Sequence, residues 1–222
     1  MPFPAPLAAL SFAAAVSAAL AIRGHYTGPH RILVYVFKPL TTLLLLAIAL
    51  RPAGGAAGRY AGAVAVGLVF SLAGDVFLML PGDRFREGLA SFLTAHLCYI
   101  AAFTTGTGFL AHPLPAVAFG AFGLLLLRLL LPGVPHRLRI PVVLYVAVIL
   151  AMAVQATGRA VRIRDASALL AGAGAALFVA SDALLAWDRF RAPFHASRAA
   201  VLSTYFLAQW LIALSAQAAS AP

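Results

Sequence analysis

Long apolar runs broken by short polar clusters set the reading of this chain. Eight runs stand out, at residues 4–22, 32–50, 61–80, 88–106, 109–131, 139–157, 168–187 and 199–218. Each is long enough to cross a hydrocarbon core of about 30 Å as a helix, with some tilt. Runs of about ten residues with strict alternation, the mark of a transmembrane barrel, do not occur. The connections are short, hold Pro, Gly and Arg, and leave no room for a separate soluble domain. The predicted fold is an all-α membrane protein of eight transmembrane helices, with residues 1–222 forming a single membrane domain. The first run begins without a basic segment and reaches about 19 residues, so it is read as a span, not a secretory signal.

Composition agrees. Of 222 residues, 63% are hydrophobic and only 10% charged, against about 25% charged in soluble domains. The net charge of +10 would suggest nucleic acid in a soluble protein. Here the arginines lie almost wholly in the connections, so lipid headgroups and topology account for them and no nucleic-acid partner is expected. Loops after the odd-numbered spans carry Arg23, Arg31, Arg84, Arg86, Arg137, Arg139, Arg189, Arg191 and Arg198. Loops after the even-numbered spans carry Arg51, Arg59, Arg159, Arg162 and Arg164. This bias puts the odd loops in the cytoplasm and both termini outside, with the Arg159–Arg164 cluster pulling the other way. An Ala- and Arg-rich chain with one Lys suggests a GC-rich bacterial genome, hence a multi-pass protein of the cytoplasmic membrane. A lone Cys98 excludes an internal disulfide.

The polar residues inside the spans carry the chemistry. Asp75 lies in GLVFSLAGDVFLML and Asp182 in GAGAALFVASDALLAW. An intramembrane carboxylate costs roughly 2.5–3.5 kcal/mol on insertion scales, so each is a functional candidate. Both fall about five residues before the end of their span. Lys38, His96 and Tyr205 lie at similar depths in spans 2, 4 and 8, with Tyr99 one turn beyond His96. All are in the half facing the odd loops, which predicts a polar cavity toward one side of the bilayer. Phe92, His96, Tyr99 and Phe103 share one stripe of span 4, and Tyr205 and Gln209 one face of span 8. Gly67, Ser71, Gly74 and Asp75 make a small-residue face, which Gly174, Phe178, Ser181 and Asp182 repeat. Structural roles compete: Lys38 as an ion-pair partner, His96 and Tyr99 as packing residues, Gln209 as interhelical glue.

A faint repeat runs through the chain. Asp75 is followed by Asp83-Arg84-Phe85-Arg86 and Asp182 by Asp188-Arg189-Phe190-Arg191, while His30-Arg31 and His136-Arg137 precede spans 2 and 6. Four spans plus four then form a parallel 4+4 repeat. Metalloprotease, nucleophile-elbow, P-loop and dinucleotide motifs are missing. The six histidines are scattered, so no metal site is expected. What remains is acid–base work by carboxylates assisted by Lys, His and Tyr.

Lys38-Pro39, Gly74-Asp75, Phe85-x-x-Gly88-x-x-x-Phe92-x-x-x-His96-x-x-Tyr99, Gly174-Ala175-x-Leu177-Phe178-x-x-Ser181-Asp182 and Tyr205-x-x-x-Gln209 together resemble the YhhN-like family of integral membrane lysoplasmalogenases. The resemblance covers roughly residues 25–215. It implies an ether hydrolase that cleaves the vinyl ether of a lysophospholipid, the lysoplasmalogen, to a fatty aldehyde and glycerophosphocholine or glycerophosphoethanolamine, with no cofactor. It also implies that Asp75 and Asp182 are the acidic site positions, with Lys38, His96 and Tyr205 as further polar ones.

Vinyl ethers hydrolyse by protonation at carbon to an oxocarbenium ion, which water captures. Two carboxylates, one acid and one base, serve a similar cation in glycosidases. Sequence does not separate the two assignments; Asp182 is taken as acid and Asp75 as base. The competing expectation is a proton-coupled transporter or lipid carrier, which also uses intramembrane carboxylates but places its site at the midplane.

Overall fold

The computed structural model describes residues 4–26, 31–51 and 55–219. Eight α-helices follow one another: α1 (Ala5–Gly24), α2 (Arg31–Ala49), α3 (Gly55–Met79), α4 (Phe85–Thr104), α5 (Leu114–Leu130), α6 (His136–Ile163), α7 (Ala166–Phe190) and α8 (Ser197–Ala218). A 3-10 turn at Leu131–Gly133 follows α5. Among the described residues there is no strand. Seven helices are long and apolar enough to span a membrane. The exception is α4, whose first turn carries Arg86 and Glu87 and whose buried face carries His96 and Tyr99. Its polar groups face the protein interior, so it needs less apolarity than a lipid-facing helix.

Each of the eight predicted spans coincides with a helix, and the boundary shifts have local causes. Two reach six residues: α3 begins at Gly55 instead of 61, and α6 continues to Ile163 instead of stopping near residue 157. The arginines there were read as a loop, but they clasp the loop after α4. Arg159 donates to the Thr105 carbonyl and Arg162 to that of Thr107 at 3.0 Å. Gln155 accepts from the Leu110 amide at 2.7 Å and donates to the Gly108 carbonyl at 2.8 Å. The Arg159 guanidinium also lies 5.2 Å from the Tyr60 ring centre. The helix then ends at Arg164 in the left-handed conformation. At the other side of this loop, α5 begins only at Leu114, after Gly106, Gly108 and Leu110 have turned the chain with positive φ.

The bundle is centred on α8, which packs against α1, α2, α3 and α7. Sequential pairs α1–α2, α3–α4, α6–α7 and α7–α8 are also in contact, and α4 packs across on α6. α5 is peripheral, with only Gly123 and Leu130 buried. Large apolar side chains on the outside, such as Phe12, Val117, Leu124 and Ile140, are each more than two-thirds exposed. That surface suits lipid, where an apolar exterior carries no penalty.

Small residues bring α3 and α4 together as the spacing predicts. A Cβ added to Gly67 would sit 2.3 Å from the Tyr99 ring, and one on Gly74 2.6 Å from that of Phe92. On α7, a Cβ at Gly174 would lie 2.9 Å from the Ala208 carbonyl oxygen of α8. The Tyr99 ring cannot yield freely, because its hydroxyl donates to Gln209 at 2.7 Å. Gly67→Ala is therefore expected to destabilise the bundle by roughly 1–3 kcal/mol through overpacking. Gly62→Ala, where the added carbon meets nothing within 4 Å, is neutral or stabilising. Thermal unfolding of both variants in detergent micelles checks the contrast.

Candidate active site

Asp75 sits near the end of α3 and is almost wholly buried, at 1% side-chain exposure. Every group around it is a donor. Lys38 Nζ, from α2, lies 3.2 Å from Oδ1. The Thr42 hydroxyl, one turn further along α2, donates to Oδ2 at 2.7 Å, and Tyr205 of α8 donates to the same oxygen at 2.8 Å. This is the environment of a carboxylate, with the lysine supplying the opposite charge that burial demands. Behind it runs a chain of polar groups: Gln209 donates to the Tyr205 hydroxyl at 3.3 Å, and Tyr99 donates to Gln209. Tyr99 also lies 3.4 Å from the Ser71 hydroxyl. Tyr99 and Gln209 thus touch the site through Tyr205 and are not part of the cavity wall.

Asp182, on α7, is the more open carboxylate, at 16% side-chain exposure. Tyr145 of α6 donates to its Oδ2. His96 Nε2, from α4, is 3.0 Å from the Tyr145 hydroxyl and 3.8 Å from Asp182 Oδ2. Tyr145 has one proton; while it goes to Asp182, His96 must donate from Nε2. His96 Nδ1 is buried and without a hydrogen-bond partner. Around this line of groups, Phe178 packs edge-on against both His96 and Tyr205. Phe92 does the same against Phe178 and Tyr205.

Asp75 and Asp182 line one cavity of about 730 Å³, together with Lys38, Tyr205, Ser181 and Phe92. The rest of its wall comes from the helix ends joined by the loops after α1, α3 and α7, including His25, Asp83, Arg84, Asp188, Arg189 and Arg198. Across the mouth, Arg189 Nη2 donates to both carboxylate oxygens of Asp83 at 2.9 Å, and the guanidinium stacks 4.0 Å from the Phe85 ring centre. Phe85 meets Phe190 edge-on. The two Asp-Arg-Phe-Arg segments of the repeat therefore touch each other. Desolvation, then the charges of Arg198 and Lys38, push the His25 pKa down to about 4. At neutral pH the positive charge of the mouth comes from the arginines alone.

Two members of the site escaped sequence reading, Thr42 and Tyr145. Thr42 carries no signal beyond lying one turn after Lys38. Tyr145 does carry one, because it precedes Asp182 by 37 residues and Lys38 precedes Asp75 by 37. Each carboxylate is held by the helix before it at the same offset. The remaining partners cross over: Tyr205 of α8 reaches Asp75 of α3, and His96 of α4 reaches Asp182 of α7. The His30 element of the repeat lies outside the described residues. Among the described residues no group of three His, Cys, Asp or Glu converges as metal ligands would.

A multi-pass helical membrane protein with two carboxylates, a lysine, a histidine and tyrosines around one cavity is the class these features define. The chain belongs to the YhhN family, whose match covers residues 33–216. It is 36% identical to human lysoplasmalogenase TMEM86B over 77% of this chain and 69% of that protein. It is 39% identical to bovine lysoplasmalogenase TMEM86A over 68% of this chain and 63% of that one. The uncharacterized membrane protein YhhN of Escherichia coli is 33% identical over 91% of this chain and 96% of its own length. No solved structure matches.

Removing one partner of a buried ion pair strands the other charge, at roughly 3–5 kcal/mol. Lys38→Met is expected to lower stability by that order. The double variant Lys38→Met/Asp75→Asn should recover much of the loss, since no charge is left buried. A double-mutant cycle on thermal unfolding measures the coupling; additive losses would mean that the pair does not interact in the membrane.

Proposed function

We propose that this protein hydrolyses the vinyl ether bond of lysoplasmalogens, with Asp182 as general acid and Asp75 as base. The observation that carries the reading is the difference between the two carboxylates inside one cavity. Asp75 has a lysine ammonium and two hydroxyl donors on its oxygens, which suits a fixed negative charge. Asp182 has the His96 ring at 3.8 Å in place of a lysine. It keeps Oδ1 free of hydrogen bonds among the described residues and is the more open of the two. Of the two, Asp182 is the carboxyl group that a substrate in the cavity can reach directly, which suits proton donation.

Asp182 protonates the vinyl carbon distal to the ether oxygen, leaving an oxocarbenium ion and an Asp182 carboxylate that receives the Tyr145 hydrogen bond. The Asp75 charge stabilises the cation. Water adds to the carbon bearing oxygen, and its proton passes to Asp75 by way of the Tyr205 hydroxyl on the cavity wall. The resulting hemiacetal collapses to aldehyde and the free glycerol hydroxyl. In this collapse Asp182 takes the hemiacetal hydroxyl proton and Asp75 gives its proton to the leaving glycerol oxygen, so one water is consumed and both carboxyl groups return to their starting states. The arginines at the mouth suit the substrate phosphate. The names of the mammalian relatives point to the same substrate class.

The two half-sites, each a carboxylate braced at a 37-residue offset, support taking the chain as a parallel repeat whose copies have diverged, one keeping Lys and the other Tyr. A carrier needs access from both faces. The loop-derived part of the cavity wall comes from one end of the bundle, and this favours a hydrolase.

Aldehyde release from lysoplasmenylcholine and lysoplasmenylethanolamine by the purified protein tests the reading. Asp75→Asn and Asp182→Asn are each expected to lower kcat by roughly 10²–10⁴ while eluting as folded protein. Near-normal turnover in either variant removes that residue from the chemistry. Reaction in D₂O, with the aldehyde trapped at once, should place one deuterium on the carbon beside the aldehyde. Aldehyde without that deuterium would overturn protonation at carbon.

A further inference from the structure

A second, narrower space of about 60 Å³ adjoins the cavity. It lies among α4, α5, α6 and α7 and shares Leu78, Phe85, Phe92, Asp182 and Leu185 with the larger one. Deeper in, its walls are Leu89, Leu126, Val146, Ile149, Leu150 and Val179. Only two of its lining residues, Tyr145 and Asp182, carry polar side-chain atoms, and these two are hydrogen-bonded to each other. Charge, carboxylate and hydrocarbon therefore follow one another along a single path, from the arginine-bearing mouth through Asp182 into an apolar groove.

We propose that this groove holds the first part of the hydrocarbon chain of a single-chain ether lysophospholipid and thereby sets chain-length preference. The inference rests on the proposed function for the identity of the ligand. The order of chemistry in such a lipid is phosphate, glycerol, ether oxygen, reacting carbons, then methylenes. Laid along the path with its phosphate at the mouth, the lipid brings its ether to Asp182 and its methylenes into the groove.

The groove has a floor. From Tyr145 to Leu150 on α6 is about 7.5 Å, the length of roughly six methylene groups. At Leu150, α5 closes in: a Cβ on Gly123 would sit 2.2 Å from the Leu150 side chain. Beyond that depth the chain must turn out into the bilayer, where further methylenes gain nothing from the protein.

The test uses saturated 1-O-alkyl-2-hydroxyglycerophosphocholines with chains of 4 to 12 carbons, which lack the vinyl ether and cannot be hydrolysed. Pairs of chain lengths compete for the protein in nanodiscs and the bound lipid is quantified by mass spectrometry. Because every variant sees the same bilayer, partitioning cancels when variants are compared. The wild type is expected to gain affinity up to about three- to fourfold per methylene, levelling near the length that reaches Leu150. Val179→Phe, which fills the groove, should cut the preference for the longer chain at least tenfold. Leu150→Ala should move the plateau outward by one or two methylenes, and covers the case in which the larger side chain prevents folding. Val117→Phe, on the exposed face of α5, is the control and should change nothing.

If folded groove variants keep the wild-type ratio within twofold, the inference is overturned, even where aldehyde is still released from lysoplasmalogens. If the ratios change as expected while no aldehyde is released by the wild type, the groove stands as a chain site and vinyl ether hydrolysis fails. Equal displacement of all chain lengths would also overturn the groove.

Discussion

A carboxylate buried in a membrane-spanning bundle has no bulk water to solvate it, so the protein must supply its partners from neighbouring helices. At Asp75 this requirement draws four helices to one point. α3 carries the acid, α2 brings Lys38 and Thr42, and α8 brings Tyr205, while α4 supports Tyr205 through Tyr99 and Gln209. At Asp182 the same demand is met by α6 and α4. The packing follows: α3 and α4 touch closely because glycine leaves room for the rings that complete these networks.

The two carboxylates differ in what surrounds them. A lysine next to one and a tyrosine–histidine pair next to the other make an asymmetric site from similar halves. Burial strengthens the effect, since a cation opposite Asp75 acts through a medium of low polarity. Phe92 and Tyr205 line the cavity, and Phe178 packs edge-on against both from behind.

The far end of the bundle does a different job with similar residues. Gln155, Arg159 and Arg162 satisfy carbonyls of the loop after α4, and Ser167 donates to the Ser215 carbonyl at 2.8 Å between α7 and α8. These bonds tie one end together, while the opposite end, lined by arginines and aspartates, stays open as a cavity.

Much of this was legible in the residues. Apolar runs separated by arginine and proline gave eight helices, because a bilayer admits few other arrangements of such a chain. The cost of charge in hydrocarbon marked Asp75, Asp182 and Lys38, and shared depth grouped them with His96 and Tyr205. Depth is a one-dimensional property that sequence position reports directly. Partnership is not. That Lys38 pairs with Asp75, that Tyr145 joins Asp182 to His96, that the two Asp-Arg-Phe-Arg turns brace each other and that Arg159 belongs to a helix depend on how the helices are arranged laterally and rotated about their axes. Those choices are made by packing between segments far apart in the chain, and only the assembled bundle decides them.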